Sequence, residues 1–242
     1  MPGGPRRSPL SDQSGVGSMP VAAGPGVTLP GLGQPMRNLV RIAAAIAGAG
    51  EATMRGVMEQ AVDSADPVHV EEVILQSYLF AGFPRALNAA RIWRAVSGRP
   101  APQQDEDASV SRAADWVAKG SSTCETVYGE SYLMLRENIR ALHPALDAWM
   151  IADGYGKVLS RAQLDLKSRE LCIVAACAAS MQQRQLHSHL HGALNSGATP
   201  AEVMSVLDSI HDLVAEPEAS KYRALLFHVL SRHQPRSHTE LQ

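Results

Sequence analysis

The residues best suited to chemistry in this sequence include three histidines that alternate along one predicted helix. His187 and His191 share one face of that helix, while His189 points away from them. Two histidines on one face could hold zinc only with further ligands, and the sequence has neither an HExxH motif nor a cysteine and histidine cluster to supply them. We therefore predict no metal site and interpret the pair as a polar helix face.

The three cysteines, Cys124, Cys172 and Cys177, do not form a disulfide framework, because their number is small and odd. Cys172 and Cys177 lie on one predicted helix, where a rise of 1.5 Å per residue separates their α-carbons by roughly 7–8 Å. A relaxed disulfide does not span that distance. A reducing cytoplasm is the simplest setting for such a chain.

Composition and charge exclude several classes of partner. The 242 residues are 45% hydrophobic, which is ordinary for a globular protein and sufficient for a sizeable core. The net charge of -2 provides no basic field to attract nucleic acid or anionic membrane. No stretch approaches the roughly 20 apolar residues that span a bilayer. We expect no nucleic-acid partner and no membrane partner.

Helices are the elements that must position the candidate residues. Apolar residues recur at helical spacing in runs such as Leu186, Leu190 and Leu194, and alternating strand patterns are absent. Residues 1–34 are rich in glycine, proline and serine and predict a disordered tail. Residues 98–112 are polar and predict a linker. The chain is therefore predicted to be all-α.

Two helix starts of the same design suggest an internal repeat. Asp66 and Thr199 can each cap a helix, and each stands before a proline that suits a first turn. The shift that aligns these two prolines brings further matches together without a gap: Val70 with Val203, Val73 with Val206, and Pro84 with Pro217. We predict helical repeats at residues 35–97 and 113–235. The alternative is two unrelated helical stretches that share capping chemistry.

A resemblance to a known family rests on motifs in the second half of the chain. Gly154-Tyr155-Gly156 approaches Ser160-Arg161, Leu164-Asp165 and Arg169-Glu170 follow, and a histidine-containing helix ends in Ala193-Leu194-Asn195-Ser196-Gly197. This order resembles the core of the carboxymuconolactone decarboxylase family. The sequence departs from it at Ala162-Gln163, where the family usually has Pro-Gly. The resemblance implies an all-α fold of two tandem carboxymuconolactone decarboxylase-like helical repeats that self-associate as a homo-oligomer.

Members of the family catalyse two kinds of reaction, and the first is the reduction of peroxides by reactive thiols. This branch resembles alkyl hydroperoxidase D, whose two reactive cysteines would fall on Gln182 and Gln185 here. Glutamine can neither attack a peroxide nor resolve the product. A residual peroxidase that uses Cys172 or Cys177 is the third of the functional hypotheses.

The second chemistry is decarboxylation of a carboxylated lactone without a metal or organic cofactor, so no cofactor is expected. The resemblance selects His189 as the acid that returns a proton, because an imidazole titrates near neutrality. It selects Glu170 to orient and charge that ring. Arg169 and Arg161 become candidate clamps for the substrate carboxylate. The alternatives are a helix-dipole role for Glu170, a core role for His189 and a surface role for the arginines.

Further substrate-binding candidates surround this pair: Gln185 and Gln182 before His189 on its helix, and Tyr155 and Trp149 as walls of a pocket. In the first copy, the same uniform shift pairs Glu170 with Arg37 and His189 with Gly56, so that copy is expected to be structural. The leading hypothesis is a cytoplasmic, cofactor-free lyase of aromatic catabolism that acts on a small carboxylated lactone or cyclic acid. The second is a non-catalytic binding or assembly protein on the same scaffold.

Overall fold

The computed structural model describes residues 31–233, and this part of the chain is helical, without a β-strand. The all-α prediction is therefore confirmed. The helices are α1 Gln34–Gly48, α2 Glu51–Ala61, α3 Pro67–Ser97, α4 Ala113–Tyr128, α5 Tyr132–Leu142, α6 Pro144–Trp149, a π-helix Met150–Leu159, α7 Leu166–Ala179, α8 Gln183–Asn195, α9 Pro200–Ser209 and α10 Glu218–Arg232. Short 3-10 turns occupy Glu106–Ala108, Val110–Arg112 and Gly129–Ser131.

Both predicted helix starts are formed by the capping groups that the sequence indicates. The Asp66 carboxylate accepts a hydrogen bond from the backbone N–H of Val68 at 2.8 Å. At α9, the Thr199 hydroxyl accepts from the N–H of Glu202, whose carboxylate accepts from the N–H of Thr199 at 2.7 Å. These reciprocal bonds satisfy donors that a helix start would otherwise leave unpaired.

The centre of the molecule is the contact between α1 and α7. Both helices are rich in alanine, and small side chains allow close approach of their backbones. Residues 169–178 of α7 are all buried, because α1, α3, α8 and α9 surround this helix. A helix that is enclosed on every side holds its polar side chains in fixed positions, away from water.

A second layer that includes α4 and the π-helix lies on the side of α8. The π-helix packs against α4, and α4 packs against α8. Helices α5 and α6 lie outside this layer and are joined by ion pairs from Arg136 and Arg140 to Asp147. No residue of α5 is buried. Among residues 31–233, no helix combines the length and the apolar character that crossing a membrane requires.

The predicted tail is only partly described, whereas the predicted linker is described in full. Of the tail, residues 1–30 lie outside the described range, while Leu32 is buried and its N–H donates to the Ser205 hydroxyl at 3.2 Å. The predicted linker, residues 98–112, is mostly exposed. It is attached to the core where Arg161 binds Asp105, with Nη2 and Oδ2 2.8 Å apart.

Candidate functional site

The first turn of α7 fixes the position of the candidate acid-base pair. The Asp165 carboxylate caps this helix by accepting from the N–H of Ser168 at 3.0 Å and from its hydroxyl at 2.7 Å. Burial raises the pKa of Asp165, but the bonds from Ser168 outweigh burial and the net pKa is lowered. The cap therefore holds a charged carboxylate at the helix start, and Glu170 follows in the next turn.

Glu170 and His189 meet between α7 and α8. The imidazole Nδ1 of His189 lies 2.8 Å from Oε2 of Glu170. The glutamate is fully buried and the histidine is only 5% exposed. Within residues 31–233, the second oxygen of Glu170, Oε1, has no hydrogen-bond partner. The carboxylate is therefore directed at a single ring, whose orientation it fixes.

Gly192 makes room for this carboxylate. A methyl group on Gly192 would lie 2.5 Å from Oε2 of Glu170 and 2.7 Å from a methyl of Val127. Both distances are shorter than real Cβ contacts, so a larger residue would displace the glutamate. Gly192 directly precedes the Ala193-Leu194-Asn195 motif in the sequence, but only the structure explains why a side chain is not tolerated there.

His189 also lines an open cleft of about 810 Å³. Its ring meets that of Phe80 edge to face, with centroids 5.6 Å apart. No partner bonds Nε2 within the described part of the chain, so Nε2 is the ring nitrogen that remains for a ligand. The imidazole of His189 therefore lies between the buried carboxylate of Glu170, which contacts Nδ1, and the cleft.

The cleft includes some of the predicted site residues. Gln185, Tyr155 and Trp149 line it together with His189. Tyr155 is buried and meets the ring of Tyr128 edge to face at 6.1 Å, whereas Trp149 is largely exposed at the cleft. Burial raises the pKa of both tyrosines, that of Tyr128 to about 12, so both phenols stay protonated.

The two predicted carboxylate clamps, Arg161 and Arg169, lie elsewhere. Both bind the buried carboxylate of Glu72 on α3, with Nη2 of Arg161 2.8 Å from Oε1 and Nη2 of Arg169 2.7 Å from Oε2. Arg161 also binds Asp105, and Arg169 donates to the carbonyl of Leu164. Neither arginine lines the His189 cleft. Their prediction as substrate clamps is corrected: they hold a carboxylate of the protein itself.

Gln182 is also outside the cleft. It is the residue before α8, its side chain is exposed, and within residues 31–233 its amide forms one hydrogen bond, to the carbonyl of Ser180, at 3.5 Å. The turn into α8 directs it away from the face that Gln185 and His189 share. Its predicted role in substrate binding has no support in this geometry.

The sequence did not predict the cationic residues of the cleft or the part of its lining that comes from the first half of the chain. Lys157 on the π-helix and Arg184 on α8 bring positive charge to the lining, and Phe80 contributes from α3 in the first half of the chain. Lys157 lies inside the motif that carries the resemblance, and Arg184 precedes Gln185, so both were within reach of the sequence. Phe80 was not, because only the tertiary contact reveals it.

The cysteines and the other two histidines of α8 are further groups that could react or bind a metal. Cys124, Cys172 and Cys177 are free and buried. Burial raises the pKa of Cys124 and of Cys177 to about 12, which disfavours their thiolates. The rings of His187 and His191 lie 5.0 Å apart, edge to face. In residues 31–233, no group of three or more histidine, cysteine or acidic side chains is arranged to hold a metal ion.

Comparison with known proteins places this site in a family. The model of the carboxymuconolactone decarboxylase family matches residues 144–226, a range that includes Glu170, Gly192 and His189. The chain is also similar to Peroxisomal protein 2 of Schizosaccharomyces pombe, with 30% identity over 155 residues, which cover 62% of this chain and 72% of the relative. The chain belongs to the carboxymuconolactone decarboxylase family.

Proposed function

We propose that this protein is a cofactor-free lyase that decarboxylates a small cyclic acid, such as a carboxylated lactone. The observation that carries the proposal is the His189 ring, which lies 2.8 Å from a buried carboxylate at Nδ1 and borders the cleft. A carboxylate at one nitrogen stabilises positive charge on the ring, so that the other nitrogen can donate a proton. This arrangement is what a general acid in a ligand cleft requires.

The proposed step breaks the carbon–carbon bond to the substrate carboxylate. Carbon dioxide leaves, and the electron pair of the broken bond is delocalised through the ring double bond onto the lactone carbonyl as an enolate. Nε2 of His189 then donates its proton to the carbon next to that carbonyl, and the imidazole recovers a proton from water. Lys157 and Arg184 provide the positive charge for the substrate carboxylate that Arg161 and Arg169 do not provide.

The experiment is a measurement of carbon dioxide released from carboxymuconolactone by the purified full chain, with and without EDTA. We expect equal release above background in both samples, with the decarboxylated lactone appearing in the proton NMR spectrum. Binding of the lactone without any release would contradict the lyase and favour the alternative, a binding protein on the same scaffold. Release that EDTA abolishes would contradict the cofactor-free chemistry.

A thiol peroxidase is less well supported. Cys172 and Cys177 are both buried, and burial raises the pKa of each thiol. Peroxide attack needs a thiolate that peroxide can reach. Alkylation of the native protein with iodoacetamide is therefore expected to be slow and to leave decarboxylation unchanged.

We also propose that α1 to α3 and α7 to α10 are structural repeats. Helices α1, α2 and α3 have counterparts in α7, α8 and α9, whose starts follow one another in the same order and at nearly the same spacing along the chain. Helix α3 is broken at Gly82 close to Pro84, and its counterpart is divided into α9 and α10 around Pro217. In an experimental structure, α1 to α3 should superpose on α7 to α10; unrelated crossing angles would contradict the repeat.

A hydrogen bond sets the register of this proposed repeat. Nε of Arg37 donates to the carbonyl of Leu32 at 2.7 Å, just as Nε of Arg169 donates to that of Leu164 at 3.0 Å. Arg37 then corresponds to Arg169. The uniform shift of the sequence had instead paired Arg37 with the next residue, Glu170. In this register the counterpart of Glu170 is Asn38, so the first half still lacks the acid-base pair.

The cellular setting that we propose is a reducing compartment. Three free, buried cysteines suit an environment that keeps thiols reduced. The cytoplasm meets this condition. The name of the relative, Peroxisomal protein 2, suggests the peroxisome as a second location. Fluorescence imaging of the tagged full chain separates them: diffuse signal supports the cytoplasm, and puncta that coincide with a peroxisome marker contradict it.

A further inference from the structure

The cleft beside His189 is much larger than the reacting end of a small lactone requires. Its volume of about 810 Å³ lies in the range of roughly 300–1,000 Å³ in which pockets bury drug-sized ligands. Most of the lining surface is apolar, and the residues that provide it include Leu79, Phe80, Leu135, Ile139, Leu146, Met150 and Leu159. A compact polar ring would leave most of this surface in contact with water.

Further aromatic side chains line the same cleft. Phe83 is stacked on Tyr78 with ring centroids 4.8 Å apart and an angle of 23° between the planes. Phe83 is nevertheless 63% exposed, and Trp149 on the lining is 61% exposed. Large aromatic surfaces left in water at a cleft are suited to cover an apolar ligand.

The backbone of α3 supports this placement of Phe83. Gly82 has φ 80° and ψ 160°, a conformation that interrupts the helix between Phe80 and Phe83. Side chains with a Cβ rarely adopt this conformation, so glycine is required at the break. The break allows both phenylalanines to line the cleft.

The charged groups of the lining are few and carry an excess of positive charge. Lys157 and Arg184 are the strong cations, and Asp153 is the carboxylate that shares the lining with them. On α8, Arg184 and Gln185 lie one turn before Ser188 and His189, so that the cationic and acid-base groups occupy one end of one helix. A ligand with one anionic group and an apolar body matches this distribution.

We infer that the ligand of the cleft is an amphipathic carboxylic acid. Its carboxylate lies towards Lys157 and Arg184, and its apolar body lies along Phe80, Phe83 and Trp149. The assignment of its carboxylate end rests on the proposed function, in which that carboxylate is the group that leaves. The apolar end rests on the shape and composition of the cleft alone.

The test is the affinity of the full chain for acetate, butyrate, hexanoate and octanoate, measured by isothermal titration calorimetry, with 1-octanol as the uncharged probe. We expect the affinity to rise about two- to fourfold for each methylene. Phe83→Ala should weaken octanoate roughly five- to tenfold, and Phe227→Ala, which removes an equally exposed ring outside the cleft, should not. Octanoate that binds no tighter than butyrate would overturn the inference.

Charge is tested with a matched pair of lysine variants. Lys157→Gln should weaken octanoate several-fold and leave 1-octanol unchanged, whereas Lys119→Gln, an exposed lysine outside the cleft, should change neither. Equal effects of the two variants would contradict a specific carboxylate site.

Light scattering on Phe83→Ala provides a further check: a changed molecular mass with unchanged octanoate affinity would assign this surface to another protein chain. If the affinity rises from acetate to octanoate but the protein releases no carbon dioxide from carboxymuconolactone, the proposed reaction is overturned and the inference about the ligand stands.

Discussion

At the scale of single residues, Glu170 depends on His189 for its one hydrogen bond within residues 31–233. The sequence alone predicts that His189 can be removed at little cost, because a pocket histidine leaves space for water. The structure changes this expectation, since the ring is buried and its partner is fully buried. Truncation to alanine would leave a buried carboxylate unpaired, at a cost of roughly 1–3 kcal/mol or more for a charged group.

Gly192 provides a test of the space around that carboxylate. Gly192→Ala places a methyl against Glu170 and Val127, so the glutamate must move away from His189. We expect at least a tenfold loss of activity and about 1–3 kcal/mol of destabilisation, which is typical of overpacked sites. Turnover assays and chemical denaturation measure the two effects.

Gly56→Ala is the matched control for this substitution. Gly56 lies inside α2, where an added methyl meets nothing within 4 Å. Alanine is the better helix former, so this variant should be more stable by about 0.5–1 kcal/mol and equally active. Equal loss of activity in both glycine variants would contradict the role assigned to Gly192.

The sequence predicted some site residues and not others for a physical reason. Glu170 and His189 lie within a local motif, and the resemblance selects both. The fate of Arg161 and Arg169 depends on Glu72, a carboxylate on α3 far earlier in the chain. A sequence shows that an arginine needs an anion, but tertiary structure decides whether a ligand or the protein supplies it.

At the scale of elements, the Glu72 cluster joins α3 to α7 and to the segment after the π-helix. Burial raises the pKa of Glu72, but hydrogen bonds from Arg161 and Arg169 outweigh burial, and the net pKa is lowered. A lowered folded-state pKa stabilises the fold above the unfolded value, near 4.5, and this stability is lost as the pH falls through the folded-state pKa. The wild-type melting temperature should therefore fall on acidification below about pH 5.

Glu72→Gln tests this cluster directly. The change leaves the buried guanidinium of Arg169 without its anion and should destabilise the protein at pH 7 by about 3–5 kcal/mol. It should also flatten the pH dependence of the melting temperature, because the titrating group is gone. Glu59→Gln is the control, since Glu59 is exposed and forms no ion pair with residues 31–233. Identical pH profiles for wild type and Glu72→Gln would contradict this account.

Helix boundaries were predictable where side chains cap a helix, as at Asp66 and Thr199. The π-helix Met150–Leu159 was not predicted, because its residues carry no local signal that distinguishes it from an α-helix. It packs against α4, so its winding is a property of the tertiary contact. Within this contact the ammonium of Lys157 lies 5.2 Å from the centroid of the Trp116 ring on α4.

At the scale of the whole molecule, α5 leaves apolar side chains exposed. Leu133, Met134 and Leu142 are all largely exposed on this helix. We predict self-association through this helix, because apolar area of this kind is favourable to bury. Light scattering at micromolar concentration should give a mass above 25.9 kDa. Leu133→Glu with Leu142→Glu should lower that mass, and Val110→Glu, an exposed site outside α5, should not.

The fold class was predictable because it depends on patterns distributed over the entire chain. Apolar spacing along α8 and the absence of alternating strand patterns indicated a helical chain before any contact was known. The cleft was not predictable, since Phe80 and Phe83 come from the first half of the chain while His189 and Trp149 come from the second. Only the contact between the halves assembles it.

The central claim, that Nε2 of His189 transfers the proton while Nδ1 binds Glu170, is tested most directly by one substitution. His189→Asn keeps an amide N–H near the position of Nδ1 and removes Nε2. We predict a melting temperature within a few degrees of the wild type, bound octanoate, and carbon dioxide release reduced at least a hundredfold. His211→Asn, at an exposed histidine, should behave as wild type. Undiminished carbon dioxide release by a folded His189→Asn variant would contradict the claim.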